Sequence, residues 1–410
     1  MKTLSLLTRS LLLIIAGLCA VSCFRDTSRQ SVGLSKGTYG YDAAFLSGHL
    51  DHVTELTGEE GARVLVTGDY QGRVMTSSAG GEGGNSFGWI NYDLIAAGKK
   101  IPQFNPVGGE ERFWIGPEGG QNSFYFRKGD AFEFKNWQVP PSIDTLPFTV
   151  VSSGKDNVVF SHTTSLENYN GSRFDLEINR SITLLGSSVL SEKLGQELPA
   201  NVKWVAYETE NTVKNAGRSE WTRETGLLSV WLLGMFTPSE ETVAIIPFRS
   251  RPDAGDFITD NYFGQIPPDR LVKKDSVLLL KCDGKLRSKL GLSPLIARPV
   301  AASFDYKKNI LTFILFSVSR DGNYVNSKWE IQDAPYEGDA VNAYNDGPLE
   351  NGSQMGPFYE LESSSAAKPL KPGESFTYTQ VTCHMEGDYR ALDTLVQKLL
   401  GISLEEAKLP

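Results

Sequence analysis

FYELESSSAAKPLKPGE, Phe358 to Glu374, decides how the rest of the chain is read. Its first five residues alternate as strand residues do, which puts Phe358, Glu360 and Glu362 on one face and Tyr359 and Leu361 on the other. Two carboxylates then point the same way. A Pro-Gly-Glu turn at Pro372 to Glu374 leads into a second strand-like run, Phe376 to His384. The pattern suggests a β-scaffold presenting acids into a groove or pocket, and it fits equally a solvated strand face, since Glu is ordinarily exposed.

Outward from this segment the strand reading recurs. Arg63 to Thr67, Asn122 to Phe126, Asn157 to Thr164, Phe174 to Leu185, Val202 to Thr209, Gly226 to Leu233, Thr242 to Pro247, Val277 to Lys281 and Leu311 to Val318 all read as strands, separated by Gly, Asn, Asp and Pro clusters. Helical spacing belongs to the two ends. Leu46, Leu50, Val53 and Leu56 predict a short helix over Asp42 to Thr57 with Asp42 as its cap, and Leu392, Leu395, Val396, Leu399 and Leu400 predict a closing amphipathic helix. The body is overwhelmingly β, and no repeat period emerges, which disfavours propellers and solenoids.

The 410 residues, 40% hydrophobic and 22% charged, are those of a globular chain, and length alone does not choose between one large domain and two smaller ones. A net charge of −9 with scattered Lys and Arg argues against a nucleic-acid partner. At the start, Lys2 and Arg9, the apolar run Leu11 to Ala20 and the small residues before Cys23 resemble a bacterial lipoprotein signal, in which the Cys receives the lipid and becomes the mature N-terminus. Cys23 fits that role better than Cys19. Cys282 and Cys383 then remain, each in an apolar strand-like context, and their spacing leaves a disulfide and two buried thiols both open.

Four histidines, at 49, 52, 162 and 384, form no H-E-x-x-H, and the cysteines have no paired C-x-x-C, so no metal site and no cofactor is expected. There is no G-x-S-x-G elbow. Gly80 to Gly84 lacks the G-K-[ST] of a phosphate cradle and reads as a mobile loop. Gly116 to Gly120, G-P-E-G-G, lies between Arg112-Phe113-Trp114 and Phe124-Tyr125-Phe126, and a turn so rich in Gly permits close backbone approach by something else.

What remains is a set of carboxylates and aromatic rings. Arg112, Trp114 and Glu118 surround the G-P-E-G-G turn; Glu208 and Glu210 share a face with Trp204; Asn211, Asn215, Trp221 and Glu224 follow within one loop; Tyr344-Asn345-Asp346-Gly347 precedes the opening segment. Sugars stack apolar ring faces on Trp or Tyr while Asp, Glu, Asn and Arg meet their hydroxyls, so the mixture suits a glycan better than a lipid or nucleotide. Each residue also has a plain structural reading: Trp114 as core, Asp346-Gly347 as a turn, Glu208 and Glu210 as a solvated edge.

L-E-S-S-S at Leu361 to Ser365, L-K-P-G-E at Leu370 to Glu374 and the N-x-x-x-N segment Asn211 to Asn215 resemble the aldose 1-epimerase (galactose mutarotase) superfamily. The chain also resembles a group of uncharacterised bacterial lipoproteins with G-P-E-G-G and Y-N-D-G-P segments, here Gly116 to Gly120 and Tyr344 to Pro348. The first resemblance implies a large antiparallel β-sandwich of the mutarotase supersandwich type with Glu362 as general base. The family's histidine acids have no counterpart, because the comparable loop reads Asn-Thr-Val-Lys-Asn. Glu118 or Asp346 would then be the acid, with Arg112, Trp114, Trp221 and Asn345 positioning the sugar.

The expectation is thus a leader over residues 1–22, a tether over 23–38 and one mutarotase-like β-sandwich over 39–410, held by lipid on Cys23 at a membrane of the cell envelope, periplasmic or outer-membrane face. The expected ligand is a carbohydrate, processed by epimerase-like proton transfer; the rival is a glycan-binding or scaffold lipoprotein without turnover. A glycosidase or lyase using Glu360 and Glu362, about 6.6 Å apart along one strand, is a third reading, although two acids from one strand seldom flank a bond.

Overall fold

The computed structural model describes residues 34–409. The expected leader, Cys23 and the tether as far as residue 33 lie outside the described residues. Among the described residues, strands rich in alternating apolar residues pair antiparallel in three sheets. The largest has ten strands in the order Leu271–Lys273, Val277–Lys281, Thr242–Pro247, Val300–Asp305, Ile310–Phe316, Ser375–Gly387, Val202–Asn215, Arg173–Leu184, Asn157–Glu167 and Thr149–Ser153. A six-stranded sheet runs Ile258–Thr259, Ser288–Leu292, Val341–Asn345, Tyr359–Ser364, Ser229–Leu233 and Arg112–Gly116. Val53–Thr57, Arg63–Thr67 and Arg73–Ser78 make the third.

Burial explains how the two larger sheets face each other. Along Arg173–Leu184 every second residue, from Phe174 to Leu184, is buried while its neighbours reach solvent, the mark of a sheet covered on one side. Arg112–Gly116, Ser229–Leu233 and Val341–Asn345 are instead buried at every position. One face of the six-stranded sheet therefore packs on the ten-stranded sheet, and its other face lies under loops. Phe113, Ile115, Val341, Ala343 and Leu361 meet Phe160, Ile178, Ile182 and Ile314 in one core. Hydrogen bonds cross the same gap, Ser363 to Gln380 at 2.6 Å and Ser303 with Tyr359 at 2.8 Å.

The closing helix is Tyr389–Leu400, capped by Asp388, whose side chain accepts from the Ala391 N–H. Its buried Leu392, Leu395, Val396 and Leu400 pack on Phe304, Phe313 and Met385, covering part of the ten-stranded sheet from outside. The first helix differs from expectation. It spans Tyr39–His49 and stops, and Val53–Thr57 pairs with Arg63–Thr67 as a strand. Leu50, Val53 and Leu56 satisfy helical spacing by coincidence, while β-branched Val53, Thr54 and Thr57 favour the extended backbone. Asp42 is no cap; its carboxylate accepts from Ser86 and Tyr92.

Three other expectations need correction. Residues 122–126 form no strand, since the Ser123 hydroxyl ties the turn to Glu118 and Tyr125 and the aromatic side chains fill core. Val202–Asn215 is one unbroken strand, so Asn211 and Asn215 are strand residues with buried side chains rather than a loop. The Gly80 to Gly84 segment packs on the first helix, where a Cβ on Gly40 would meet the Glu82 carbonyl at 3.0 Å. Cys282 and Cys383 are two separate buried thiols.

Buried ion pairs sit inside the sandwich. Arg180, on the inner face beside Ile178 and Ile182, donates to Glu111 at 2.7 Å and to the Gly72 carbonyl at 2.9 Å, with both charged side chains at 0% exposure. Gln380 donates to the second oxygen of Glu111, and His384 meets Glu110 at 3.1 Å. Removing one partner strands the other charge away from water. Arg180→Met is therefore expected to cost about 3–5 kcal/mol in urea unfolding, and adding Glu111→Leu should return much of it. Equal loss in the single and double variants would show that packing, and not the stranded charge, sets the cost.

Candidate functional site

Residues paired across neighbouring strands share a face, so the register of the six-stranded sheet assembles the site. Lys289 pairs with Tyr344, which pairs with Glu360. Glu362 pairs with Leu233, which pairs with Arg112. Two positions on, Ser364 pairs with Trp231 and Trp231 with Trp114. Lys289, Tyr344, Glu360, Glu362, Trp231, Arg112 and Trp114 therefore stand together on the face turned away from the ten-stranded sheet.

Two ion pairs organise this face. The Arg112 guanidinium donates to Glu360 at 2.5 Å and lies 4.6 Å from the centre of the Trp114 ring. Lys289 Nζ and Trp231 Nε1 each donate to Glu362 Oε2 at 2.9 Å. The Glu362 side chain is 0% exposed and that of Lys289 13%. Among the described residues Glu362 Oε1 has no hydrogen-bond partner, nor do Arg112 Nε and Nη1 or Trp114 Nε1, though all are buried. Buried polar atoms are ordinarily satisfied, so these four are exceptions gathered on one face.

Glu118 reaches the same cluster from the G-P-E-G-G turn. Burial pushes its carboxyl above the usual range; the Lys289 ammonium pulls it back, the Glu362 charge adds to the rise, and Trp329 lowers it as a hydrogen-bond donor. The close approach that the glycines permit is made by the chain itself. A Cβ on Gly119 would meet the Lys328 carbonyl at 2.2 Å, and Gly120 has φ +80. The segment carrying Ser327, whose hydroxyl accepts from the Glu118 N–H, and Trp329 is thereby drawn over the sheet.

Burial also depresses the Lys289 ammonium, but Glu362, Glu118 and Glu360 together hold it above its ordinary value, and it keeps its proton. Glu360 is pushed up to about 7 by burial, opposed by Arg112 and reinforced by Glu362. Tyr262, 5.7 Å from Lys289 Nζ by its ring centre, donates to Asp339, which also accepts from Asn342 at 3.2 Å.

The structure brings together Glu362, Glu118, Arg112 and Trp114 of the residues singled out by sequence. Asp346 lies beyond Glu360 and accepts from Tyr344 at 2.8 Å and from the Gly356 N–H at 3.0 Å, closing its own loop. Asn345 and Trp221 do not belong to the cluster. Asn345 points to the opposite face, accepting from the Gly284 N–H and donating to the Leu286 carbonyl, and Trp221 is core packed on Phe174. Glu208 pairs with Lys193 elsewhere. Sequence reasoning missed Lys289, Trp231, Asp339 and Trp329; a lone Lys among the apolar residues of Ser288–Leu292 was the available signal. A separate cleft of about 460 Å³ is lined in part by Lys36, Asp42, Trp89 and Tyr92.

Residues 37–409 match the model of a family of unknown function, DUF6786. The chain belongs to that family. No curated protein matches the sequence. Similar solved structures include the Slr1438 protein from Synechocystis sp. PCC 6803, 15% identical, covering 83% of this chain and 98% of that one with a TM-score of 0.48. A galactose mutarotase-like protein from Lactobacillus casei is 11% identical over 81% of this chain and 99% of its own, TM-score 0.48. A galactose mutarotase related enzyme from Lactobacillus acidophilus is 12% identical over 82% and 97%, TM-score 0.42.

Two outcomes follow from the ion pairs. Lys289→Met leaves Glu362 buried without its cation and should cost about 3–5 kcal/mol in urea unfolding, largely restored by Glu362→Gln in the same chain. Glu360 has a folded-state pKa raised from 4.5 to about 7, so its contribution to stability is complete below about 4.5 and lost as pH rises through about 7. Glu360→Gln stays neutral throughout. Wild type should therefore lose stability relative to the variant across that window, by at most about 1.4 kcal/mol per pH unit; a flat difference would contradict the assignment.

Proposed function

We propose that this chain is a carbohydrate-processing lipoprotein of the cell envelope, anchored through lipid on Cys23, that binds a sugar over the outer face of the six-stranded sheet. The observation that carries the reading is Glu362: a fully buried carboxylate, gripped at Oε2 by Trp231 and Lys289, with Oε1 left without a partner among the described residues. A general base needs one oxygen fixed by its surroundings and one available to the proton it removes. Arg112 and Trp114 supply unpartnered N–H donors and an aromatic wall beside it.

In this reading Glu362 Oε1 takes the proton of the anomeric hydroxyl while Glu118, whose carboxyl burial pushes above the usual range, gives a proton to the ring oxygen. The bond between C1 and the ring oxygen breaks, the carbonyl turns, and closure returns both protons to their donors. Lys289 stays charged and steadies negative charge on the sugar oxygens. Asp346, engaged by Tyr344 and Gly356, holds its loop and leaves the acid's part to Glu118.

Glycan binding without turnover is a second reading, favoured by the Lys289–Glu362 pair, since the carboxylate is already engaged by a cation within the protein. Interconversion of anomers followed by NMR exchange across a panel of free aldoses separates the two. Wild type should accelerate at least one sugar, and Glu362→Gln should lose about 100-fold or more of that acceleration. Binding of sugar with no acceleration by wild type would leave the chain a binding protein.

A further inference from the structure

We propose that the site takes a glycan chain rather than a free monosaccharide, the chain lying along aromatic rings that lead away from Glu362 and Lys289 on two sides. This rests on the carbohydrate reading above and specifies its substrate class. On the Glu118 side the rings run outward in near-parallel steps. Trp329, beside the Glu118 carboxyl, lies 6.0 Å and 24° from Trp137, and Trp137 lies 5.9 Å and 18° from Phe134. Phe134 is 57% exposed. On the Lys289 side Tyr262 comes first, and its neighbour Phe263 is 45% exposed. The Arg287 guanidinium sits 3.7 Å from the Phe263 ring centre and Tyr344 meets that ring edge-on at 6.1 Å, so the ring is held on its inner side.

Single exposed apolar residues are ordinary. Here Phe134 ends a continuous file of rings that begins beside the Glu118 carboxyl, and Phe263 rests on Tyr344, the residue paired with Glu360. One pyranose on Glu362 would touch the sheet-face rings Trp114 and Trp231 and leave Phe134 and Phe263 without a task. Further sugar residues would set their C–H faces on those outer rings, removing apolar surface from water while their hydroxyls stay wet.

Isothermal titration with malto-, cello-, xylo- and chito-oligosaccharides, each from the monosaccharide to the hexasaccharide, tests this on wild type, Phe134→Ala and Phe263→Ala. Both rings are at the surface, and circular dichroism checks that the variants fold. Affinity should rise with length in wild type, and each substitution should weaken the longest ligand about tenfold while leaving the monosaccharide unchanged. Affinity independent of length, or a length dependence that both variants keep, overturns the proposal and leaves the carbohydrate reading standing. Failure of every sugar at every length overturns both. Phe134 has exposed Ile101 and Leu146 as further apolar neighbours on adjoining loops, linked through Gln103 to the Phe134 carbonyl and Lys100 to the Thr145 carbonyl. Loss of binding to phosphatidylglycerol vesicles in Phe134→Ala, with oligosaccharide binding intact, would overturn the proposal in favour of a lipid surface.

Discussion

Charge buried on a sheet that is covered on both faces is the constraint on which the structure turns. The Tyr359–Ser364 strand has no solvated side. Tyr359, Leu361 and Ser363 face the ten-stranded sheet, and Glu360 and Glu362 face the covering loops. A carboxylate removed from water needs a cation or several donors close at hand. Arg112 and Lys289 meet that need from strands two places away on opposite sides, so satisfying the acids also fixes the order and register of the sheet. A slip of one residue would turn both acids into the apolar core.

The same demand shapes what lies above the sheet. The G-P-E-G-G turn that carries Glu118 toward Lys289 also lets the backbone at Ser327 and Lys328 pass in close contact with Gly119. That segment brings Trp329, and Trp329 opens the file of rings leading to Phe134. Asp339 and Tyr262 close the other flank through their own hydrogen bond. The loops are thus organised around charge on the sheet, with the aromatic residues filling the space between.

Much of this was legible in the sequence, for reasons that can be named. Alternation in F-Y-E-L-E gave the strand and the shared face of Glu360 and Glu362, because period two survives whatever covers the sheet. The Gly-rich turn signalled a close approach, and Arg112, Trp114 and Glu118 were found beside it. Residues whose role depends on neighbours distant in sequence were harder. Lys289 reads as an ordinary strand lysine until Val341–Asn345 sets it beside Glu360. Asn345 follows Tyr344 by one residue and so faces the opposite way, which spacing alone could not assign before the register was known. At the first helix, Leu50, Val53 and Leu56 fit a helix by number while pairing with Arg63–Thr67 decided for a strand.

The central claim is that the ligand meets the unpartnered oxygen of Glu362 on the outer face of the six-stranded sheet. A crystal structure of the protein with a bound oligosaccharide tests it most directly. The account predicts a sugar oxygen about 2.6–3.2 Å from Glu362 Oε1, with the rings of Trp114 and Trp231 beside the sugar. A sugar seated instead in the cleft of Lys36, Trp89 and Tyr92, with Glu362 Oε1 untouched, would contradict it.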